Sequence, residues 1–153
     1  MRIALYEPEI AGNVGAVLRL GACLGVAVDL IEPMGFVWDD ARVRRTAMDY
    51  IDHVEIVRHS GFAAFRATLG QSRLVLFTTK AEPTLYSFAF RPHDVLLFGK
   101  ESAGVPAAVA EVCDAKVRIP IRAEVRSMNL ASAAALALGE GLRQVGGATF
   151  SQT

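Results

Sequence analysis

Apolar residues fall along this chain in two rhythms. Short, near-continuous apolar runs mark strands at residues 2–6, 26–31, 54–57, 74–78, 94–98 and 115–119, and helical spacing fills much of the sequence between them. Residues 12–25 place Val14, Val17, Leu18, Gly21, Cys23 and Leu24 at helical intervals and end on Gly25, a fitting residue just past a helix. Asp39 can cap a short basic helix carrying Arg42, Arg44 and Arg45, and Ser60 can cap a helix over 61–69. Another helix starts at Pro106, with proline in its first turn. Strands that are apolar rather than alternating, separated by helices, predict an α/β fold: a mostly parallel six-stranded sheet with helices on both faces.

In such a sheet, ligands bind beyond the carboxyl ends of the strands. Three segments rich in glycine, proline and polar residues follow strands here: 7–15, 99–106 and 120–129. The last of them feeds the most unusual stretch of the chain. A polar loop with Arg122, Glu124 and Arg126 leads to Ser127 or Asn129 as the helix cap, and the helix beyond is apolar nearly all round. Its many alanines suit a helix packed closely on several sides. An ordinary capped, buried helix accounts for the alanines, but less well for the polar loop, which is a common way of holding a ligand against free helix N–H groups.

Composition narrows the function. The chain has 153 residues, 52% apolar and 21% charged, which suits one domain over 1–153 with a loose tail from about 147. No long uncharged apolar run predicts a membrane span, and the early charge in Met1-Arg2-Ile3 does not suit a signal peptide, so a cytoplasmic protein is expected. Cys23 and Cys113 have no metal-ligand spacing and read as buried free thiols. His53, His59 and His93 read as surface residues, so no metal is expected. Net charge is zero, with 13 of the 16 basic residues being arginine. Bulk charge therefore does not announce a nucleic acid, although arginine suits phosphate and base contacts.

Familiar phosphate and nucleophile motifs are missing: Gly12-Asn13-Val14-Gly15 is not a dinucleotide fingerprint, and neither a P-loop nor a nucleophile elbow is present. Arg19 stands in an otherwise apolar helix, and Glu101 precedes a helix start. From position alone Arg19 is a snorkelling or a functional residue with equal weight, and Glu101 is as readily a dipole-stabilising acid as a working one.

The stretches Asn13-Val-Gly-Ala-Val-Leu-Arg19, Leu97-Phe-Gly-Lys-Glu-Ser-Ala-Gly-Val-Pro106 and Ile119-Pro-Ile121 with Arg126-Ser-Met-Asn-Leu130 stand in order at strand ends. Together they resemble the three motifs of the SPOUT superfamily of S-adenosylmethionine-dependent RNA methyltransferases. Leu5-Tyr-Glu-Pro-Glu-Ile10 and Ile31-Glu-Pro-Met-Gly-Phe-Val-Trp-Asp-Asp40 resemble the small TrmL type, which methylates the ribose 2′-oxygen at the wobble position of leucine tRNAs. The likeness covers roughly residues 2–145; Ala16 departs from it, standing where the family usually has a second asparagine.

The resemblance implies a C-terminal trefoil knot, which periodicity does not reveal. It implies S-adenosylmethionine held by Phe77, Thr78, Gly99, Ile119, Ile121, Ser127 and Met128, and chemistry carried by Arg19 with Asn13, Glu101 and Asn129. Its expected partners are a tRNA anticodon loop and a second copy of the chain, whose Arg42, Arg44 and Arg45 would grip RNA phosphates. The other readings are a methyltransferase of ribosomal RNA and a knotted RNA-binding module without catalysis.

Overall fold

The computed structural model describes residues 1–146; the expected tail from 147 lies outside them. Five parallel pairings join six strands: β1 (Arg2–Tyr6), β2 (Val28–Ile31), β3 (Ile56–His59), β4 (Leu74–Phe77), β5 (Val95–Phe98) and β6 (Ala115–Val117), in the order β3-β2-β1-β5-β4-β6. The helices are α1 (Ala11–Leu24), α2 (Asp40–Ala47), α3 (Phe62–Thr68), α4 (Ala107–Glu111) and α5 (Leu130–Gln144), with a 3₁₀ segment at Met48–His53. No described helix is long and apolar enough to cross a membrane.

The strands are apolar throughout because the sheet is covered twice. Alternate residues of β1 enter different cores: Ile3 and Leu5 pack with Val14, Val17 and Leu18 of α1 and Ala134, Ala137 and Leu138 of α5. Ala4 and Tyr6 pack with Phe65 of α3 and Val109 of α4. The order of the strands places β1 and β5 side by side at the centre, so the loops that follow them emerge together.

Several boundaries move from the sequence expectation for local reasons. Strand β2 starts at Val28, not residue 26, because Val26 N–H is taken by Gly21 O at 2.9 Å as the chain leaves α1. The third strand lies at 56–59 rather than 54–57, since the 3₁₀ segment runs up to His53 and Val28 pairs with Ile56. Ser60 does not cap α3; Gly61 does, without a side-chain bond. Pro106 is the cap of α4 and not its first helical residue. Strand β6 ends at Val117 because Arg118 turns to the loop before it, its N–H donating to Pro83 O and its carbonyl accepting from Leu85 N, both at 2.8 Å.

Three burial expectations also change. His59 is buried, its Nε2 2.8 Å from Asp29 Oδ1, and Asp29 in turn takes Nε and Nη2 of Arg2 at 2.8 and 3.0 Å. A buried carboxylate at this depth needs such partners, and the histidine is one of them. Cys23 is exposed rather than buried, while Cys113 is half-buried. The alanine-rich helix buries one face only, through Leu130, Ala134, Ala137, Leu138 and Gly141; Ala135 and Leu136 face outward, the latter 43% exposed.

Candidate active site

Glu101 is the hub of the carboxyl-end rim. Its Oε2 accepts from Glu9 N at 2.9 Å, and its Oε1 accepts from Ile10 N at 3.2 Å and Asn13 Nδ2 at 3.1 Å. All three bonds use the Glu101 carboxyl as an acceptor. The clamp is reciprocal. Glu9 accepts from Ser102 N and Oγ at 2.9 and 2.8 Å, and those bonds hold its carboxyl below the usual range. Lys100 Nζ reaches Glu7 Oε2 at 2.7 Å, which raises the lysine. Glu7 itself has φ 44°, the left-handed region that costs a non-glycine residue on the order of 1 kcal/mol. The chain spends that strain where it turns from β1 toward Lys100.

The loop carrying Glu101 is tight. Lys100 and Gly104 exchange backbone hydrogen bonds at 3.0 and 2.9 Å, and a Cβ on Gly99 would stand 2.4 Å from the carbonyl carbon of Gly104. Glycine is the residue that fits there.

The third segment joins through Asn129. Its Oδ1 accepts from Ala131 N and Ser132 N at 2.9 and 3.2 Å, capping α5, while its Nδ2 donates to Asn13 Oδ1 at 2.9 Å. Capping fixes the orientation of the Asn129 amide, which fixes that of Asn13, whose Nδ2 is then left facing Glu101. One polar relay, Glu101–Asn13–Asn129, thus ties together segments after β5, β1 and β6. Of the two cap candidates, Asn129 serves and Ser127 does not, leaving Ser127 to face open space.

Two adjoining cavities flank this relay. The smaller, about 110 Å³, is lined by Phe77, Thr78, Thr79, Ile119, Ile121, Ser127, Met128 and Ala133. The larger, about 320 Å³, takes in Ile10, Asn13, Gly99, Lys100, Glu101 and Asn129. Ser127, Met128 and Ala133 belong to both and form the wall between them. The structure therefore gathers Phe77, Thr78, Ile119, Ile121, Ser127 and Met128 in one cavity, with Gly99 in the other beside Asn13, Glu101 and Asn129. Sequence reasoning missed Thr79, Ile10, Lys100 and Ala133. Lys100 sits inside the Gly99–Pro106 stretch and could have been found there; nothing local marks Ala133 among its neighbouring alanines.

Arg19 lines neither cavity. It lies on the exposed side of α1, with Cζ 4.9 Å from the Tyr50 ring centroid, a cation–π distance. Arg42 and Arg45 are exposed on α2, which Asp39 caps as expected by accepting from Ala41 N and Arg42 N at 2.9 and 3.3 Å. The side chain of Arg44 lies outside what is described.

Residues 1–139 match the sequence profile of a family described as the SpoU rRNA Methylase family. A protein of Beijerinckia indica named tRNA (cytidine(34)-2'-O)-methyltransferase is 54% identical over 146 residues, covering 94% of this chain and 91% of that one. A solved structure described as giving insights into the 2-OH methylation of C/U34 on tRNA superimposes with a TM-score of 0.88 at 40% identity, covering 94% of each chain. The SpoU methyltransferase AviRb of Streptomyces viridochromogenes, solved in complex with the cofactor AdoMet, gives 0.82 at 26% identity over 94% of this chain and 60% of that one.

Proposed function

The chain belongs to the SpoU rRNA Methylase family and is a methyltransferase, and from that premise we propose that it moves a methyl group from S-adenosylmethionine to the ribose 2′-oxygen of nucleotide 34 in leucine tRNAs. The observation that carries this reading is the 54% identity, over nearly the whole chain, to a relative named for 2'-O-methylation of cytidine 34 in tRNA. The family description mentions ribosomal RNA, but the similarity to relatives named for tRNA position 34 runs at 40–54%, which favours tRNA.

The residues present fit the cofactor. Apolar walls at Ile119 and Ile121 suit an adenine, and the hydroxyls of Thr78, Thr79 and Ser127 suit a ribose. S-adenosylmethionine supplies a methyl group on a sulfonium, ready for transfer to an oxygen nucleophile. This chain's residues supply the rest. Gly99 lets the loop after β5 approach closely, Ser127 and Met128 divide cofactor from acceptor, and the Glu101–Asn13–Asn129 relay holds the acceptor cavity in one shape. A guanidinium offers N–H donors and no acceptor, so Arg19 is suited to orienting the hydroxyl and stabilising its developing negative charge rather than to removing the proton.

That role requires a second copy of the chain, and we read the active form as a homodimer. The outer faces of α1 and α5 carry Ala16, Arg19 and Cys23, and Ser132, Ala135, Leu136 and Gly139, all exposed. Small residues there allow two like patches to meet around a twofold axis. Arg19 sits on this face and outside its own chain's cavities, which supports a site completed across the interface, with Arg42, Arg44 and Arg45 of the partner holding RNA phosphates. The C-terminal segment is read as threading the loop after β4 to form the trefoil knot. Supporting this, Arg118 pairs with that loop at Thr84, and Gln144 of α5 bonds Phe88 O and Phe90 N, both at 3.0 Å. The sheet with its helices functions as a single domain over 1–146.

The test is tritium-methyl transfer from labelled cofactor to bulk tRNA and to ribosomal RNA side by side. The reading expects counts in tRNA alone; label confined to ribosomal RNA would contradict it.

A further inference from the structure

At the opposite ends of the strands, three arginines from separate parts of the chain converge. Arg66 lies in the last turn of α3, Arg73 directly precedes β4, and Arg91 stands shortly before β5. With the turn at 70–72 and Asp114 they enclose a cleft of about 290 Å³.

What holds each arginine differs. Arg73 is committed to the fold: Nε and Nη2 donate to the two oxygens of fully buried Asp94 at 2.8 and 2.7 Å, Nη2 also reaches Ala89 O at 2.9 Å, and the guanidinium lies 4.8 Å from the Phe88 ring centroid. Asp94 also accepts from Arg91 N at 2.9 Å, and Asp114 accepts from Leu74 N at 2.7 Å. Asp114, which lines the cleft, and Asp94, which does not, are thus each engaged by structural donors. The side chains of Arg66, half-buried, and Arg91, exposed, form no ion pair with a described carboxylate. Two uncommitted guanidinium forks therefore stand around a third that is fixed in place, and a fork of N–H donors matches the oxygens of a phosphate.

The chain as a whole has no net charge. Its attraction for a polyanion must therefore come from local clusters and not from an overall field. We propose that this cleft grips a backbone phosphate of the RNA substrate, at a point remote from the nucleotide that is methylated. The inference rests on the reading above that the substrate is RNA.

The test measures the affinity of the full chain for whole tRNA across a range of salt, for the wild type, for Arg66→Ala with Arg91→Ala, and for Arg66→Lys with Arg91→Lys. Arg73 is left in place because it satisfies buried Asp94. The alanine pair should weaken binding about tenfold at about 0.1 M salt and lower the slope of log affinity against log salt by about one, the contribution of one phosphate contact. The lysine pair should restore the slope by restoring charge. Binding of S-adenosylhomocysteine, unchanged in all three, confirms that the variants are folded. Wild-type affinity and slope in the alanine pair would overturn this inference alone, including where the cleft takes up inorganic phosphate. A wild-type chain that binds no tRNA would overturn the substrate reading with it.

Discussion

The carboxamide of Asn129 donates to that of Asn13 across 2.9 Å, although 116 residues separate them in sequence. The same Asn129 caps α5, so one side chain both starts a helix and lines the larger cavity.

These two roles separate by substitution. Asn129→Ala removes cap and relay, and should cost about 1 kcal/mol of stability, seen as a melting temperature lower by roughly 2–4 °C, together with most of the methyl transfer. Asn129→Ser keeps a good cap but has no amide to reach Asn13. It should recover the melting temperature and leave transfer impaired. Recovery of both would reduce Asn129 to a cap.

Arg19 gives the second prediction. Arg19→Ala should abolish transfer while S-adenosylhomocysteine titrates as in the wild type, because Arg19 lies outside both cavities. Arg19→Lys should also fail, since a point charge does not replace a planar fork. A fully active lysine variant would exclude the orienting role.

Much of this was legible in the sequence, and the gaps have identifiable causes. Strand β1, helix α1 with its Gly25 end, and the Asp39 cap are local features, and local pattern found them, while for α5 it left Ser127 and Asn129 open. The burial of His59 was not legible, because its reason is Asp29, 30 residues away and on another strand. The Ser60 cap failed because a capping residue type does not decide whether the neighbouring Gly61 takes the position. The cavity residues came from motif resemblance. No periodicity reveals that β1 and β5 lie side by side and bring Glu101 to Asn13.

Burial has a chemical consequence at Cys113. Desolvation pushes this thiol up to about 11, so it stays protonated and unreactive where an ordinary thiol near 8.5 is partly ionised. At pH 8 its thiolate fraction should be lower by more than about a hundredfold. Iodoacetamide followed by peptide mass spectrometry should leave Cys113 unmodified in the native chain and label it after unfolding. Rapid native labelling would contradict the burial.

Sedimentation at micromolar concentration should give twice the chain mass if the proposed homodimer is the active form. Mixing Arg19→Ala chains with chains lacking Arg42, Arg44 and Arg45 should then restore part of the activity, because one of the two sites in each mixed dimer regains a complete set. Two inactive variants that stay inactive when mixed would place the Arg19 and the three arginines that serve one site in the same chain.

The central claim is that the methyl group goes to a ribose 2′-oxygen at position 34. Its most direct test is methyl transfer to two leucine tRNAs that differ in one atom, one carrying cytidine and the other 2′-deoxycytidine at that position. The account predicts one methyl group per cytidine tRNA, mapped to nucleotide 34, and none on the deoxy substrate. Equal transfer to the deoxy tRNA would contradict it.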